Sequence, residues 1–532
     1  MTDLPRRIVV FTGDPSFSVM QGIAMLMERA PDLDWLLVHH APVKSVAQLW
    51  RNQRLNFKRN GWRWVPYQAA ELMDRVFKPH PGTPPLRPRT LKAFDLQALS
   101  SRARVRLEQV QDIHAPSSLA LVRAFSPTLG LSLAAPILKR PLFSIPTLGT
   151  LNLHKGSLPD FRGMPPAFWE LWHDQVSVGC SVHQVDDKLD TGAVVARDSL
   201  PREAHSSLRG LQLQLDELGN RLLCKAVLSV LDGTAQFAAQ TPGSGQTFRK
   251  PTLAQQAALK AKLRATASSA VRPTGVVKEV CFALANAAQG AVLRPLIAPR
   301  VTVVLYHRVT DAVRDNLSVG VEQFARQMAL LKRHFEVLGI EEVLALQAIP
   351  RSSKPLVAVT FDDGYLDNYT LAVPILLRHQ IPAAFFVSTG LMGTDKRFPH
   401  DVRRSNPAIP VMGWDHLREM KALGFTLGSH SVEHIDCAAE SELRVRAELR
   451  TSRQALESEL GLREVVFAYP YGGRQHMTAE RLELVKQAGY IGCLSAYGGS
   501  NVGVVDRFNV LRKGINHEFS DRAFVWQCLG LR

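Results

Sequence analysis

The chain has 532 residues, of which 46% are hydrophobic and 21% charged, and a net charge of +16. This composition excludes a disordered or fibrous chain, and the length allows roughly two to four globular domains. The six cysteines are scattered and form no CxxC pair. They therefore exclude a disulfide framework and favour a reducing compartment.

The N-terminus, MTDLPRRIVVFTGDPSF, has an apolar run too short for a secretory signal. No stretch reaches the apolar length that a membrane span requires; the nearest, 280–293, is short and flanked by charged residues. We expect a cytoplasmic protein. Peripheral association with the inner face of the membrane remains an open alternative.

The first half alternates strand and helix patterns. An apolar run at 8–11 predicts a buried strand, the periodic stretch 19–27 predicts a helix, and DWLLVHH predicts a second strand. Strand, helix and strand in this order predict an α/β fold with a doubly wound (Rossmann-like) parallel sheet. A basic insertion interrupts the pattern at about 44–106, where 14 Lys and Arg face three acidic residues.

The stretch GTLNLHKGSLPDFRGMPPAFW, residues 149–169, places Asn152 and His154 at the end of an apolar strand. Asp190 follows in VDDKLDTGAVV. An Asn amide can donate to a developing oxyanion, a His can transfer protons near neutral pH, and an Asp can orient the imidazole or a water. These groups suit acyl transfer to an amine; a strand-end turn with a packed histidine is the structural alternative.

The motifs NLHKGSLPDFRG and LDTG resemble the formyltransferase family that uses 10-formyltetrahydrofolate as formyl donor. The resemblance is strong from about 110 to 200. It implies that Asn152, His154 and Asp190 form the catalytic triplet. Before 110 it is too thin to assign the residues of the folate pocket.

The composition changes near residue 250. The segment LAQQAALKAKLRATASSAVRPTG predicts a helical linker over 251–299, between one domain at 1–250 and another at 300–532. In the second domain, apolar strands such as LVAVTF, AAFFVS and VVFAYP alternate with helical patterns. This alternation predicts an α/β barrel or a close variant.

Two strand ends in the second domain carry candidate metal ligands. VAVTFDDGYLDNY sets Asp362 and Asp363 side by side, and LGSHSVEHID sets His430 and His434 four residues apart. Strand ends of a parallel barrel share one face, so these groups can converge on one ion. Two imidazoles and one carboxylate leave open positions on a metal, as in a catalytic site. A solvated Asp-Gly turn is the alternative for the carboxylates.

The motifs TFDDG, HSVEH and YPYG resemble, in order, those of the NodB-homology polysaccharide deacetylases. The resemblance implies a distorted (β/α) barrel of NodB type and a divalent metal, usually zinc, held by Asp363, His430 and His434. It implies Asp362 as the general base. The third motif supplies Pro470 and Tyr471 as substrate-binding residues.

Two positions depart from that family. Ala468 stands where many relatives have an arginine, and no Leu-x-His motif follows Gly473. That motif supplies the general acid in many relatives. His517, in GINHEF, is the remaining candidate for this role, with a surface histidine as the alternative.

Together the halves predict a bifunctional enzyme of surface-glycan precursor metabolism. One half would hydrolyse an N-acetyl group of an amino sugar, and the other would formylate a sugar amine; the substrate would be nucleotide- or lipid-linked. One alternative is a formyltransferase with a degenerate NodB binding module. Another is a tRNA-linked formyltransferase, although nucleic acid is not the expected partner. Removal of formyl rather than acetyl also stays open.

Aromatic and basic residues alternate in the basic insertion, including Trp50, Phe57 and Trp62 among Arg51, Arg54 and neighbouring cations. Arginine suits phosphate, and tryptophan suits a membrane interface. This pattern predicts binding to anionic membranes or to a polyprenyl-phosphate-linked substrate. A solvated charged face is the alternative.

Overall fold

The computed structural model describes residues 6–13, 16–42, 46–65, 91, 96–203, 206–241, 243–266, 298–352 and 354–530. Residues 6–65 and 96–266 form one unit, and residues 298–530 form a second. No helix in the described ranges is long and apolar enough to cross a bilayer. The apolar segment 280–293 and most of the basic insertion beyond residue 65 lie outside the description.

The strands of the first unit are β1 (Arg7–Thr12), β2 (Asp34–His40), β3 (Val105–Val110), β4 (Leu129–Ser132), β5 (Thr150–His154), β6 (Phe161–Gly163), β7 (Ser177–Gln184), β8 (Val194–Pro201) and β9 (Gln246–Phe248). Its helices are α1 (Phe17–Arg29), α2 (Val46–Asn60), α3 (Leu96–Ser100), α4 (Pro116–Phe125), α5 (Arg140–Phe143), α6 (Phe168–Trp172), α7 (Leu208–Leu231) and α8 (Leu253–Thr266), with a 3₁₀ turn at Gly61–Arg63.

Seven strands form one sheet in the order β3-β2-β1-β4-β5-β7-β8, and β6 pairs with β9. Strands β1 to β5 are parallel, whereas β7 runs antiparallel to β5 and β8. The chain crosses from β3 at one edge back to β4 beside β1, as in a doubly wound sheet. The predicted fold class of this half is confirmed.

The apolar core of the first unit lies on both faces of this sheet, between the sheet and its helices. α7 begins at Ser207, whose hydroxyl accepts a hydrogen bond from Gly210 N at 3.0 Å and satisfies one free N–H of the first turn. Leu215 and Leu223 on this helix are fully buried in the hydrophobic core on one face of the sheet. Leu259 of α8, a segment that the sequence placed in the linker, is buried in the same core.

The strands of the second unit are β10 (Arg300–Tyr306), β11 (Arg308–Val309), β12 (Ser318–Val319), β13 (Glu336–Leu338), β14 (Leu356–Phe361), β15 (Ala383–Val387), β16 (Thr426–Ser429), β17 (Val466–Ala468), β18 (Gly492–Leu494), β19 (Asn501–Val502) and β20 (Arg512–Gly514). Its helices are α9 (Val321–His334), α10 (Ile340–Ala345), α11 (Val373–His379), α12 (Pro399–Arg403), α13 (Trp414–Ala422), α14 (Glu442–Leu460), α15 (Ala479–Gln487) and α16 (Asp521–Cys528), with a π-helical turn at Asn368–Ala372 and a 3₁₀ turn at Arg474–His476.

The main sheet of the second unit has the order β18-β17-β16-β15-β14-β10-β19, with β13 paired to β14 and β20 to β10. Its strands are parallel except β19. The sheet curls into a half-barrel, which confirms the predicted distorted barrel. The TFDDG, HSVEH and YPYG motifs overlap or follow the ends of β14, β16 and β17. Parallel pairing therefore brings all three motifs to one edge of the sheet.

Two candidate active sites

The first site is built across two neighbouring strands. Asn152 on β5 lies opposite His183 on β7 in the antiparallel register. The Nδ1 of His183 donates to the Gln184 carbonyl at 2.7 Å, so its Nε2 is the acceptor in the neutral ring. Asn152 Nδ2 donates to that Nε2 at 3.1 Å. This bond fixes the orientation of the amide and leaves its second N–H for another acceptor.

His154 ends the same strand and is buried. Its Nε2 donates to the Phe161 carbonyl at 2.7 Å, and its Nδ1 lies 3.5 Å from Asp190 Oδ2. Burial lowers the pKa of His154, although the charge of Asp190 opposes this effect. The ring is therefore neutral near pH 7, with Nδ1 available to accept a proton.

Asp190 lies in the loop before β8 with a left-handed backbone, φ +55°. Its Oδ2 accepts from Gly163 N at 2.9 Å, and its Oδ1 lies 3.5 Å from His183 Nε2. Burial raises the pKa of Asp190, but the other interactions of this carboxylate, among them the hydrogen bond from Gly163 N, outweigh burial and leave the pKa below its usual value. An ionised Asp190 can therefore stabilise a protonated His154.

The structure thus brings the candidate residues Asn152, His154 and Asp190 to one place. It adds His183, which contacts both the amide and the carboxylate. In the sequence, His183 lies in the strand-like stretch CSVHQV. The sequence alone does not show that this strand pairs antiparallel with the strand of Asn152 and His154, so it could not place His183 in the site.

The second site contains a buried carboxylate between two imidazoles. Asp363 Oδ1 lies 3.5 Å from His430 Nε2 and 3.3 Å from His434 Nε2. The candidate ligand atoms of these three residues all lie within 4.8 Å of one another. Both oxygens of Asp363 are buried and have no hydrogen-bond partner in the described structure. A cation would satisfy these oxygens at the place where the ring nitrogens converge.

The chemistry of this donor set fits a divalent metal. His430 Nδ1 donates to the carbonyl of Ala468 at 2.8 Å, which directs an unprotonated Nε2 towards Asp363. Burial lowers the pKa of His430 to about 4, so the ring is neutral. Asp363 and His434 adopt left-handed φ angles of +76° and +53°. Such angles are costly for non-glycine residues and are concentrated at functional sites.

Asp362 makes a different set of contacts from its neighbour. The buried guanidinium of Arg512 donates to both of its oxygens, at 2.7 Å each, and Arg512 Nε donates to the Ser495 carbonyl at 2.6 Å. Burial raises the pKa of Asp362, but the charge and the two hydrogen bonds of Arg512 outweigh burial, so the pKa lies below its usual value. Asp362 is therefore ionised and can accept a proton.

Replacing Arg512 by glutamine should raise the pKa of Asp362 and move the acid limb of any hydrolysis that uses this carboxylate as its base to higher pH. Without the guanidinium, burial raises the pKa of Asp362, so a larger fraction of the carboxyl group is protonated at a given pH. The rate should fall about tenfold for each pKa unit above the assay pH and should recover as the pH rises. The measurement is the pH profile of kcat/KM for acetate release by wild type, R512Q and R512K. The lysine variant should shift less; a uniform loss with an unmoved acid limb would contradict the role.

Three other predicted residues lie around this site. Tyr471 is partly exposed and packs its ring against His434 at a centroid distance of 4.9 Å, and Pro470 precedes it. His517 Nδ1 donates to the Asp315 carbonyl at 2.7 Å. No contact between His517 and the carboxylate pair is found among the described residues.

Sequence reasoning missed three further groups near the candidate metal ligands. His307 follows β10, and the hydrogen bond from Asp362 N to the Tyr306 carbonyl, 3.0 Å, places it beside the carboxylate pair. Burial lowers the pKa of His307, while the charges of Asp363 and Asp362 raise it. His400 lies 3.6 Å from Asp363 Oδ2. Arg512 is separated from Asp362 by 150 residues.

Of these three residues, only His307 lies in a sequence pattern that could have pointed to the site, the strand-end stretch VVLYHRV.

Two family descriptions match the chain. Residues 122–227 match the formyl transferase family, and residues 350–492 match the polysaccharide deacetylase family. Each half of the chain therefore contains a region that matches a different family. We call the two halves the formyltransferase half and the deacetylase half.

Individual relatives cover one half at a time. Methionyl-tRNA formyltransferase of Azobacteroides pseudotrichonymphae is 26% identical over 172 residues, which are 32% of this chain and 51% of that protein. The chain spans about half the length of the curated methionyl-tRNA formyltransferases it matches, 51% and 47% in two cases.

Solved structures are similar to each half. The deacetylase PplD of Streptococcus pyogenes is 22% identical with a TM-score of 0.38, covering 44% of this chain and 99% of that one. A sugar N-formyltransferase from Shewanella is 13% identical with a TM-score of 0.31, covering 48% and 86%.

Proposed function

We propose that this protein replaces the N-acetyl group of an amino sugar by an N-formyl group. The deacetylase half hydrolyses the acetamide, and the formyltransferase half formylates the released amine with 10-formyltetrahydrofolate. The carrying observation is that one chain contains both the Asp363–His430–His434 cluster and the Asn152–His154–Asp190 triplet. The product of the first site is the nucleophile that the second requires.

In the deacetylase half, Asp363, His430 and His434 would hold a divalent metal, which we propose to be zinc. When bound, such an ion polarises a carbonyl and lowers the pKa of a coordinated water. Asp362 accepts a proton from the attacking water, and Arg512 keeps that carboxylate ionised and oriented. The carbon–nitrogen bond then breaks, releasing acetate and the amine.

Protonation of the leaving amine needs an acid. His307 is the candidate favoured by position, because it directly follows Tyr306, whose carbonyl accepts a hydrogen bond from Asp362 N. Burial lowers the pKa of His307, and the charges of Asp363 and Asp362 only partly oppose this effect. His517, the candidate from the sequence, hydrogen-bonds the Asp315 carbonyl instead. Pro470 and Tyr471 are proposed to border the acyl group, since the Tyr471 ring packs against His434.

In the formyltransferase half, the sugar amine attacks the formyl carbon of the donor. The second N–H of the Asn152 amide donates to the negative charge that develops on the formyl oxygen. His154 Nδ1 accepts the proton that the amine loses, and Asp190 pairs with the resulting imidazolium at 3.5 Å. The bond from the formyl carbon to the folate nitrogen then breaks, that nitrogen takes the proton from His154, and tetrahydrofolate leaves.

Separate assays test the two steps. The full-length protein would be incubated with a panel of nucleotide- and polyprenyl-linked N-acetyl amino sugars, and acetate would be measured. The corresponding free amines would be incubated with 10-formyltetrahydrofolate, and formyl incorporation would be measured by mass spectrometry. We expect both activities on at least one carrier class. No acetate and no formyl incorporation across the panel would overturn the proposal.

A tRNA-linked formyltransferase is the second candidate function. It is favoured by the similarity to methionyl-tRNA formyltransferases and by the positive charge of α2 and the following turn. Salt-sensitive binding of initiator tRNA, with formylation of its methionine and none of a sugar amine, would support this function over the sugar reaction.

We further propose that α2 and the 3₁₀ turn after it bind anionic membrane. Residues 46–65 contain no acidic residue and include Arg51, Arg54 and Lys58. Trp50 and Trp62 are 68% and 79% exposed, and the Trp62 ring packs edge-on against Phe57 at 5.6 Å. Exposed tryptophan with arginine and lysine suits the headgroup region, where each cation contributes about 1 kcal/mol.

Reversing the charge of Arg54, Lys58, Arg59 and Arg63 together should abolish binding to anionic liposomes. The change removes electrostatic attraction but no described core contact, so folding should persist. The measurement is sedimentation with anionic and neutral liposomes at low and high salt. Reversal of Arg197 and Lys188, on another part of the same unit, is the matched control. If wild type binds anionic and neutral liposomes equally and negligibly, the proposal is wrong and residues 46–65 form a solvated charged face.

A further inference from the structure

The two oxygens of Asp363 face different groups. Oδ1 faces the ring nitrogens of His430 and His434, at 3.5 and 3.3 Å. Oδ2 faces His400 Nε2 at 3.6 Å. His400 is buried at the start of α12, with its ring stacked on Phe398 at a centroid distance of 5.2 Å. It is therefore a fixed group beside the second oxygen of the carboxylate, and its ring also packs edge-on against His434 at a centroid distance of 5.3 Å.

A chain of short hydrogen bonds holds His400 in place. Its Nε2 lies 2.8 Å from the hydroxyl of Tyr365, and this hydroxyl donates to Asp401 Oδ2 at 2.6 Å. Asp401 Oδ1 in turn accepts from Arg308 Nη1 at 2.6 Å and from Asn406 at 2.9 Å. Tyr365 and Arg308 are fully buried.

The protons available on these groups determine which group donates and which accepts in each of these hydrogen bonds. Asp401 is paired with the guanidinium of Arg308 and is therefore a carboxylate, which can only accept. Tyr365 has one hydroxyl proton and gives it to Asp401. The tyrosine oxygen must then accept from His400, so His400 Nε2 carries a hydrogen. Because this nitrogen carries a hydrogen, it has no lone pair with which to ligate a metal. Its N–H is directed at Tyr365, and its positive partial charge lies 3.6 Å from Asp363 Oδ2.

We infer that His400, held by Tyr365, Asp401 and Arg308, is a positioning residue for the metal ligand Asp363. At 3.6 Å the contact is longer than a hydrogen bond, so His400 acts through the dipole of its N–H. It stabilises the orientation in which Oδ1 faces the metal and Oδ2 does not. This inference rests on the proposed metal site, but none of these four residues touches the reacting atoms.

Metal affinity measured without turnover tests the inference. Groups that orient metal ligands typically contribute 10–100-fold to affinity. H400F keeps a flat ring against Phe398 but removes the N–H, and should weaken zinc binding by about tenfold or more. H400Q restores a donor and should recover most of the affinity. Y365F, which removes the hydroxyl that orients His400, should lose affinity in the same direction.

The matched control is Y369F. Tyr369 is also buried in the second unit and donates to a carboxylate, Glu419, at 2.5 Å, but it is not bonded to His400. A change in zinc affinity that comes only from removing a buried hydroxyl should therefore appear in both Y365F and Y369F. A change that comes from losing the orientation of His400 should appear only in Y365F. A thermal melting transition for each variant shows whether that variant folds. If H400F does not fold, the comparison of zinc affinity between Y365F and Y369F tests the inference.

The experiment uses metal-free full-length protein titrated with Zn²⁺ against a fluorescent chelator. The visible spectrum of the Co²⁺ form reports ligand geometry independently. We expect one tight site in wild type, weakened in H400F and Y365F and accompanied by a changed Co²⁺ spectrum. Wild-type affinity and spectrum in both variants would overturn the inference. Absence of a site in wild type would instead contradict the proposed function.

Discussion

Replacement of Asp363 by alanine should remove the metal and N-acetyl hydrolysis together, while formyl transfer continues at the wild-type rate. Asp363 supplies the only carboxylate in the cluster with His430 and His434 among the described residues. The formyltransferase triplet belongs to the other unit. The measurements are metal content per chain after desalting, acetate release and formyl incorporation, all on full-length protein. The H430A variant should behave in the same way.

The companion variant Asp362→Asn separates the two adjacent carboxylates. Asparagine keeps the shape of the side chain but cannot accept the proton, so hydrolysis should fall by about 10²–10⁴-fold. Metal should be retained, because the shortest hydrogen bonds of Asp362 are those from Arg512, and Asp362 is not one of the three proposed ligands. If D362N loses metal as readily as D363A, the roles assigned to the pair are reversed.

Alanine at His154 should reduce formyl transfer by about 10²–10⁴-fold, because it removes the group that accepts the amine proton. Asn152→Ala should cost about 10²–10³-fold, the usual effect of losing one oxyanion donor. Acetate release should be unchanged in both variants. The measurement is single-turnover formyl transfer to the free amino sugar.

The matched control for His154 is H114A. His114 lies in the same unit and hydrogen-bonds the carbonyl of Ile137. It should retain the wild-type rate of formyl transfer. Losses below tenfold in both H154A and N152A would contradict the catalytic triplet.

The sequence predicted the features that are local in the chain. Asn152 and His154 lie two residues apart on one strand, and Asp362 and Asp363 directly follow β14. Parallel pairing of strands then brings their ends to a common edge, so the convergence with His430 and His434 followed from the fold class. The doubly wound sheet and an α/β barrel or a close variant were predicted from the same alternation of strand and helix, and the resemblance to the NodB-homology family implied that the barrel is distorted.

The sequence did not predict the groups that depend on distant pairing. Arg512 reaches Asp362 because β20 pairs with β10 across more than two hundred residues. His183 reaches Asn152 through one particular antiparallel register, and a shift of one residue would turn it to the other face. His400 lies on a five-residue helix after a loop, where no periodicity marks it. These contacts come from tertiary structure rather than from local pattern.

Conversion of one amino sugar through both steps on the same nitrogen is the most direct test of the proposed function. A nucleotide- or polyprenyl-linked N-acetyl amino sugar carrying a nitrogen isotope label would be incubated with the full-length protein, zinc and 10-formyltetrahydrofolate. Mass spectrometry should find a product one methylene lighter that retains the labelled nitrogen. D363A should leave the substrate unchanged, and H154A should stop at the free amine. Formyl transfer to a supplied amine, with no acetate released from any N-acetyl sugar by metal-loaded wild type, would contradict a reaction in series.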